Sequence, residues 1–148
     1  MRLGLVSGQP PIEIHLAAAR IQADCDADGC SGKFGGGIPE TEVDTLIIPA
    51  MAARMQAVID ASSCGPTSPG SCTGLPGQIL GLFDANGDFK VTADEVRANF
   101  LVMAVLAPDL DLLDAKGRPG QDGIRDSLSL GLGFTSKNCH LRRGTKEH

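Results

Sequence analysis

The sequence from residue 84 to residue 95 reads Asp84-Ala-Asn-Gly-Asp-Phe-Lys-Val-Thr-Ala-Asp-Glu95. Side chains that carry oxygen stand at positions 1, 3, 5, 9 and 12 of this segment, which we call the acidic loop. This is the spacing of a calcium-binding loop, because a hard cation needs about six to eight oxygens and a short loop supplies them by turning alternate side chains inward. The predicted calcium ligands are the side chains of Asp84, Asn86, Asp88, Thr92 (through a water) and Glu95, together with the carbonyl of Lys90.

The residues on either side of the acidic loop predict two helices. Before it, Ile79, Leu80 and Phe83 recur at helical spacing. After it, Thr92 and Glu95 match a capping box, in which each residue satisfies the backbone amide of the other. We therefore predict a helix-loop-helix over about residues 76–107. Its second helix would run from Ala93 to Leu106, stop before Pro108, and pack through Val96, Phe100, Met103 and Leu106.

This helix-loop-helix resembles an EF-hand, and more loosely the shorter calcium loops of dockerin modules. The resemblance implies a glycine with positive φ at loop position 6, where this chain has Phe89. A bulky residue in that conformation costs about 1–2 kcal/mol, which weakens calcium binding by roughly one decade. Alternatively, Gly87 takes the left-handed conformation two positions earlier. The competing interpretation of the whole segment is an acidic turn between two helices that holds no metal. The resemblance also implies that Val91, at position 8, pairs with a neighbouring loop in a small two-stranded sheet.

A second acidic segment occupies residues 109–126, and its Ile124 is the predicted partner of Val91. Its carboxylates alternate at the start and recur at the end, but no register reproduces the spacing of the acidic loop. Two interpretations stay open, namely an expanded, degenerate calcium site that folds back on the first loop, or a solvated loop rich in glycine and proline. The candidate ligands of this second site are Asp109, Asp111, Asp114, Asp122 and Asp126.

Four of the five cysteines form two local pairs in the sequence. Cys25 and Cys30 bracket an acidic turn that we interpret as a hairpin tip, and Cys64 and Cys72 bracket a loop of turn-forming residues. Both pairs predict disulfides, which indicate an oxidising compartment. Cys139 is left over. Zinc is disfavoured because no Cys-x2-Cys pair exists.

The remaining segments predict an α+β fold, with a small antiparallel sheet packed on central helices. Alternating apolar residues predict strands over about 12–19 and 128–134, and a hairpin around the Cys25–Cys30 turn. Helical spacing predicts a helical region over 39–61, which Pro49 kinks or divides. We expect a single domain over residues 1–136, followed by a basic, disordered tail over 137–148.

Composition excludes several classes of function. The chain has 148 residues and contains neither Trp nor Tyr. Its net charge of −5 disfavours nucleic-acid binding, because a nucleic-acid-binding protein needs a basic surface. No apolar stretch approaches the length of a membrane span. No nucleophile elbow, zinc-protease pair or dinucleotide fingerprint occurs, so we do not expect an enzyme. Residues 1–8 do not match a secretion signal, and we expect the chain to be the downstream part of a longer exported protein or an open reading frame begun too late.

A wider resemblance rests on the segments Gly-Gly-Gly-Ile-Pro at 35–39, Leu-Ala-Pro-Asp-Leu-Asp at 106–111 and Asp-Ser-Leu-Ser-Leu-Gly-Leu-Gly-Phe-Thr at 126–135. These are similar to segments of uncharacterised bacterial envelope proteins, often lipoproteins, which implies export and calcium binding but no activity. The favoured hypothesis is therefore a non-enzymatic calcium-binding domain located outside the cell or in its envelope. An adhesion or scaffold module that contacts a protein or a glycan is the alternative, a hydrolase domain fragment is less favoured, and a cytoplasmic protein with reduced cysteines is the alternative location.

Overall fold

The structure, a computed structural model, describes residues 2–3 and 12–137, and within this part the fold is α+β as predicted. The strands are β1 (Arg2–Leu3), β2 (Ile12–Glu13), β3 (Ala17–Cys25), β4 (Gly29–Pro39) and β5 (Ser127–Lys137). The helices are α1 (Glu40–Glu42), α2 (Ile48–Asp60), α3 (Gly74–Phe83), α4 (Ala93–Ala98) and α5 (Phe100–Val105), with a π-helical segment (Val43–Ile47) and a 3₁₀ turn (Pro69–Ser71). Of the tail expected over 137–148, residues 138–148 lie outside the described residues, as does Cys139, while Lys137 ends β5.

The main sheet joins the two ends of the described chain. Its order is β3-β4-β5, and both pairings are antiparallel. The first pairing is the predicted hairpin, and its tip is closed by the Cys25–Cys30 disulfide. At that tip Oδ1 of Asp26 accepts hydrogen bonds from the amides of Asp28 and Gly29, so this carboxylate serves the turn. The strand predicted over 128–134 is confirmed as part of β5, which ends at Lys137.

The strand predicted over 12–19 is broken in the structure. β2 ends at Glu13 and pairs with β1, while β3 begins at Ala17. The register of β3 against β4 shifts between Ala17 and Arg20, where Ala18 has a φ of 49°. Alternation alone predicts one strand, because neither the change of pairing partner after Glu13 nor the bulge after Ala17 interrupts the apolar pattern. Ile14, in the gap between the strands, is buried in the core.

A close approach at Gly37 explains how the second acidic segment lies on the sheet. A Cβ atom at this position would collide with Cδ1 of Leu112 and would lie 2.8 Å from Cβ of Ser127. Leu110 forms a bridge with Ser127, which is fully buried. Glycine in β4 therefore leaves room for the Leu112 side chain against the sheet.

Pro49 does not divide the helical region, which is continuous from residue 40 to residue 60. The π-helical segment directly precedes α2, and Pro49 is the second residue of α2. The missing N–H of Pro49 therefore falls where the hydrogen-bond pattern changes from π to α. Met51 and Met55 pack against the core, as expected for apolar side chains at helical spacing.

The core lies where the helices meet the sheet. Its buried residues come from the β2–β3 connection, from β4, from the helical region 43–59 and from the helix-loop-helix, and they are Ile14, Ile38, Val43, Ile48, Ala52, Ile59, Val91 and Val96. Because Val91 and Val96 belong to this cluster, the C-terminal end of the acidic loop packs into the core of the domain.

The helix after the acidic loop is shorter than predicted, since it is interrupted at Asn99. This residue has an extended backbone, and its Oδ1 accepts hydrogen bonds from the amides of Leu101 and Val102, so that a new helix begins. Its Nδ2 also donates to the carbonyl of Leu82, near the end of α3. The interruption turns Phe100 outward, where it is 76% exposed, and the prediction that Phe100 packs inward was wrong.

Both predicted disulfides are present in the structure. The second joins Cys64 to Cys72 in the connection between α2 and α3, and Cys64 lies at the edge of the core. Two disulfides indicate an oxidising, extracytoplasmic environment. Among the residues that the structure describes, no helix combines the length and apolar character needed to cross a membrane.

Candidate metal centre

The acidic loop connects the end of α3 to the start of α4. Asp84 follows the last residue of α3, and its amide still donates to the carbonyl of Leu80. Thr92 is the N-cap of α4. The helix-loop-helix is therefore formed as the sequence predicts, with the candidate ligands placed between two short helices.

The carboxylate of Asp84 organises the first half of the loop. Its Oδ1 accepts from the amides of Gly87 at 2.8 Å and Asp88 at 3.0 Å, and its Oδ2 accepts from the amide of Phe89 at 2.9 Å. Three backbone N–H groups thus point at one carboxylate, which holds the chain in a tight turn.

The next two candidate ligands repeat this arrangement on a smaller scale. Oδ1 of Asn86 accepts from the amide of Asp88, and Oδ1 of Asp88 accepts from the amide of Lys90, both at 2.9 Å. Nδ2 of Asn86 lies 3.3 Å from Oδ2 of Asp88. The structure therefore brings Asp84, Asn86 and Asp88 into one turn, where their side chains are tied to each other and to loop amides.

Positive φ occurs at two positions of the loop, and both were considered in the sequence. Phe89 has a φ of 64°, as the EF-hand resemblance implies for loop position 6, and Gly87 has a φ of 74°. The strained conformation of Phe89 persists because its amide is one of the three bound to Asp84.

The end of the loop is a complete capping box. Oε2 of Glu95 accepts from the amide and from the hydroxyl of Thr92, both at 2.9 Å, and the amide of Glu95 donates to Oγ1 of Thr92 at 3.3 Å. The other carboxylate oxygen, Oε1 of Glu95, is buried and has no hydrogen-bond partner. A buried carboxylate oxygen without a partner is unfavourable, so this atom marks a position where a cation or a donor is needed.

The donor set of the loop suits a hard cation, since every candidate ligand atom is an oxygen. The orphaned Oε1 of Glu95 fits such a group. However, residues 2–3 and 12–137 contain no group of three or more His, Cys, Asp or Glu side chains that is arranged to hold a metal ion. Metal binding at the loop therefore requires its carboxylates to move closer together than the structure shows them.

Val91 does not pair with Ile124, so that prediction was wrong. The amide of Val91 donates to Oε1 of Gln56 in α2 at 2.7 Å, and Ile124 is 65% exposed. Nε2 of Gln56 in turn donates to Oδ1 of Asp60 at 2.7 Å. The partner of the Val91 amide is therefore a side chain of α2 and not a second loop.

The second acidic segment uses its carboxylates to hold its own backbone against the sheet. Asp109 accepts from the amide and from the hydroxyl of Ser129, each at 2.6 Å, and these bonds lower its pKa. Burial of Asp126 opposes ionisation, but hydrogen bonds from the Ser127 hydroxyl and from the amides of Leu113 and Leu112 outweigh it and lower the pKa of Asp126.

The other three candidates of this segment also have partners in their own neighbourhood. Asp114 accepts from the guanidinium of Arg118 and from two amides, and the Arg118 bonds lower its pKa. Asp111 accepts from the amides of Asp122 and Gly123, and Asp122 accepts from the amide of Ile124. These contacts give each carboxylate a local role, which is what the interpretation as a glycine- and proline-rich loop expects.

The sequence gives little or no indication of the roles of two residues in this region. Gln56 lies 35 positions before Val91 on a different helix, and only the packing of α2 against α4 brings the two together. Asn99 stands inside a regular helical pattern, although a residue with good capping chemistry is a weak indication of a helix start.

Comparison with known proteins gives no further assignment, because no family model, no curated protein and no solved structure matches this chain.

Proposed function

We propose that the acidic loop binds one calcium ion and that the chain is a non-enzymatic structural or binding domain of an exported protein. The observation that carries this proposal is the buried, unpartnered Oε1 of Glu95 at the twelfth position of a loop with calcium-loop spacing. The ligands would be the side chains of Asp84, Asn86, Asp88, Thr92 (through a water) and Glu95, and the carbonyl of Lys90.

The chemistry that calcium supplies here is charge neutralisation. Asp84, Asp88 and Glu95 place three negative charges within one loop, and these repel each other in the absence of a cation. The chain limits this repulsion with three backbone amides, those of Gly87, Asp88 and Phe89, which donate four hydrogen bonds to Asp84 and Asn86. A bound ion would reduce the repulsion between the carboxylates further, and it would bring them into one cluster.

Binding at this position would stabilise the whole domain, since the loop connects elements of the core. Val91 and Val96 at its end are buried with α2 residues, and Asn99 joins α5 to the end of α3. A ligand that binds only the folded form raises the free energy of unfolding, by about 2.7 kcal/mol at a hundred times Kd. Calcium would therefore act as a structural brace between α3 and α4.

The proposed affinity is moderate. The loop already holds Phe89 in the left-handed conformation, so its strain of about 1–2 kcal/mol lowers the stability of the fold, whereas binding still requires the carboxylates to converge. We propose a micromolar to millimolar Kd, which suits an extracellular module because calcium is abundant there. The two disulfides are consistent with that location, and we propose the cell envelope or the extracellular space.

Thermal melting with millimolar calcium and with a chelator tests the proposal. We expect calcium to raise the melting temperature of the wild type. The melting temperature of Glu95→Gln should not respond to calcium, because glutamine keeps the cap but removes the charge. Asp94→Asn is the matched control, since it removes a neighbouring charge from a side chain that is 94% exposed and paired with Arg97. An equal calcium response in Glu95→Gln and in the wild type would contradict the assignment.

A binding module for a protein partner is the second candidate, and the surface of α5 favours it. Leu101 and Val105 are exposed, and with Met51 they line a shallow apolar pocket of about 290 Å³. Exposed apolar surface of this kind is typical of interaction sites. Pull-down from envelope extracts, with the wild type and with Val105→Lys, tests this function, and equal capture by both proteins would argue against the α5 surface.

A further inference from the structure

We propose that Gln56 is a positioning residue of the calcium site, which fixes the direction of the Lys90 carbonyl through the amide of Val91. This inference rests on the proposed function of the acidic loop. Gln56 belongs to α2, and its side chain accepts a hydrogen bond from the peptide group that joins Lys90 to Val91.

The peptide bond makes the connection between the two groups. The carbonyl of Lys90 and the N–H of Val91 belong to one planar unit, and all peptide bonds in the described residues are trans. In a trans peptide these groups point in opposite directions. Because the Val91 N–H points at Oε1 of Gln56, the Lys90 carbonyl is held pointing away from Gln56.

Gln56 is itself held in place. Its Nε2 donates to Oδ1 of Asp60, one helical turn later, and this contact leaves Oε1 directed at Val91. Val91 is only 5% exposed, so that water is a poor substitute for the glutamine oxygen. The series Asp60, Gln56, Val91 therefore fixes one backbone ligand from outside the loop.

The same contact also makes the carbonyl a better ligand. An N–H group that donates a hydrogen bond polarises its peptide group and increases the negative charge on the carbonyl oxygen. Calcium polarises the peptide in the same sense from the other end. By thermodynamic reciprocity, a contact that favours calcium binding is itself favoured by calcium.

The test uses Gln56→Met, which keeps the length of the side chain and removes the acceptor. Calcium affinity is measured by calorimetry, and the 15N shift of Val91 and the 13C shift of the Lys90 carbonyl are followed during the titration. We expect Kd to rise about two- to tenfold, the range that corresponds to one intramolecular hydrogen bond. Exchange of the Val91 amide in chelator should become at least about tenfold faster.

Two further variants keep the result interpretable. Gln78→Met makes the same substitution at an exposed position of α3 and should leave both the calcium Kd and the Val91 exchange rate as in the wild type. Asp60→Ala keeps the Gln56 acceptor and removes only the contact that orients it, so it should raise the calcium Kd in the same direction as Gln56→Met but by a smaller factor, and it provides the test if Gln56→Met unfolds.

The outcomes separate this inference from the proposed function. Calcium binding by the wild type with an unchanged Kd in Gln56→Met overturns the positioning role alone. If the Val91 amide exchanges as fast in Gln56→Met as in the wild type, the hydrogen bond to Gln56 does not protect it, and the inference fails whether or not calcium binds. Absence of calcium binding in the wild type overturns the proposed function and this coupling together.

Discussion

Only one of the two carboxylate oxygens of Glu95 contacts Thr92. Oε2 accepts two hydrogen bonds from Thr92, whereas Oε1 is buried and has no partner. One oxygen therefore serves the start of α4, and the other is left for a ligand. This division separates the structural role of the residue from its proposed role in calcium binding.

Replacement of Glu95 by alanine should destabilise the protein even in the presence of a chelator. The substitution removes the bonds that Oε2 makes in the capping box, which are worth about 0.5–2 kcal/mol. Glu95→Gln, which keeps an acceptor for the Thr92 amide, should lose less. Urea unfolding in chelator measures both variants, and equal stability of Glu95→Ala and the wild type would show that the cap contributes nothing.

Substitution of Phe89 by glycine should stabilise the fold in chelator by up to about 1 kcal/mol. Glycine adopts a φ of 64° without the strain of a bulky side chain, and Asp84 holds this conformation through the Phe89 amide. Ala85→Gly adds a glycine at an exposed loop position where φ is not positive, and it should not stabilise the fold. Urea unfolding of the wild type and both variants measures the change, and a lower stability of Phe89→Gly would mean that side-chain packing outweighs backbone strain.

Much of the fold follows from signals that are local in the sequence. The hairpin at Cys25–Cys30, the apolar alternation of β5 and the capping box at Thr92 are all formed by residues close together in the chain, so their patterns predict them well. The positive φ at Phe89 follows equally from its place in the loop.

What the sequence does not reveal depends on competition or on distant contacts. Asn99 interrupts a helix whose apolar periodicity continues, because its side chain satisfies the amides of a new first turn. Ala18 lies in a bulge that leaves alternation intact. Gln56 is found only from the packing of α2 on the helix-loop-helix, since a single polar residue in a helix pattern gives no indication of its partner.

Loss of Asn99 should weaken the connection between the two helices of the motif. Asn99→Ala removes the N-cap of α5 and the bond to the Leu82 carbonyl, and we expect a loss of about 1–2 kcal/mol. Asn99→Asp keeps the cap but not the donor to Leu82, so it should lie between Asn99→Ala and the wild type. Urea unfolding gives the values, and wild-type stability of Asn99→Ala would show that α5 needs neither contact.

Stability should decline in acid because the pKa values of Asp109, Asp114 and Asp126 are lowered in the folded protein. The contribution of a carboxylate with a lowered pKa is fully present above its unfolded value and is lost as pH falls through the folded value. The ordinary value here is 3.8, so the loss begins near that pH and continues below it.

Asp126→Asn tests this acid dependence at the carboxylate that serves Leu112, Leu113 and Ser127. The variant should be less stable than the wild type near neutral pH and should lose less stability on acidification. Asp28→Asn removes the same charge from an exposed side chain at the hairpin tip and should retain the wild-type profile. Parallel pH profiles for Asp126→Asn and the wild type would assign the acid sensitivity to other groups.

Calorimetric titration of the wild type with calcium, beside Glu95→Gln, tests the central claim most directly. The loop as a calcium site predicts one saturable binding event per chain with a Kd between micromolar and millimolar, and its loss in Glu95→Gln. Absence of saturable binding by the wild type, or an unchanged isotherm for Glu95→Gln, would contradict it.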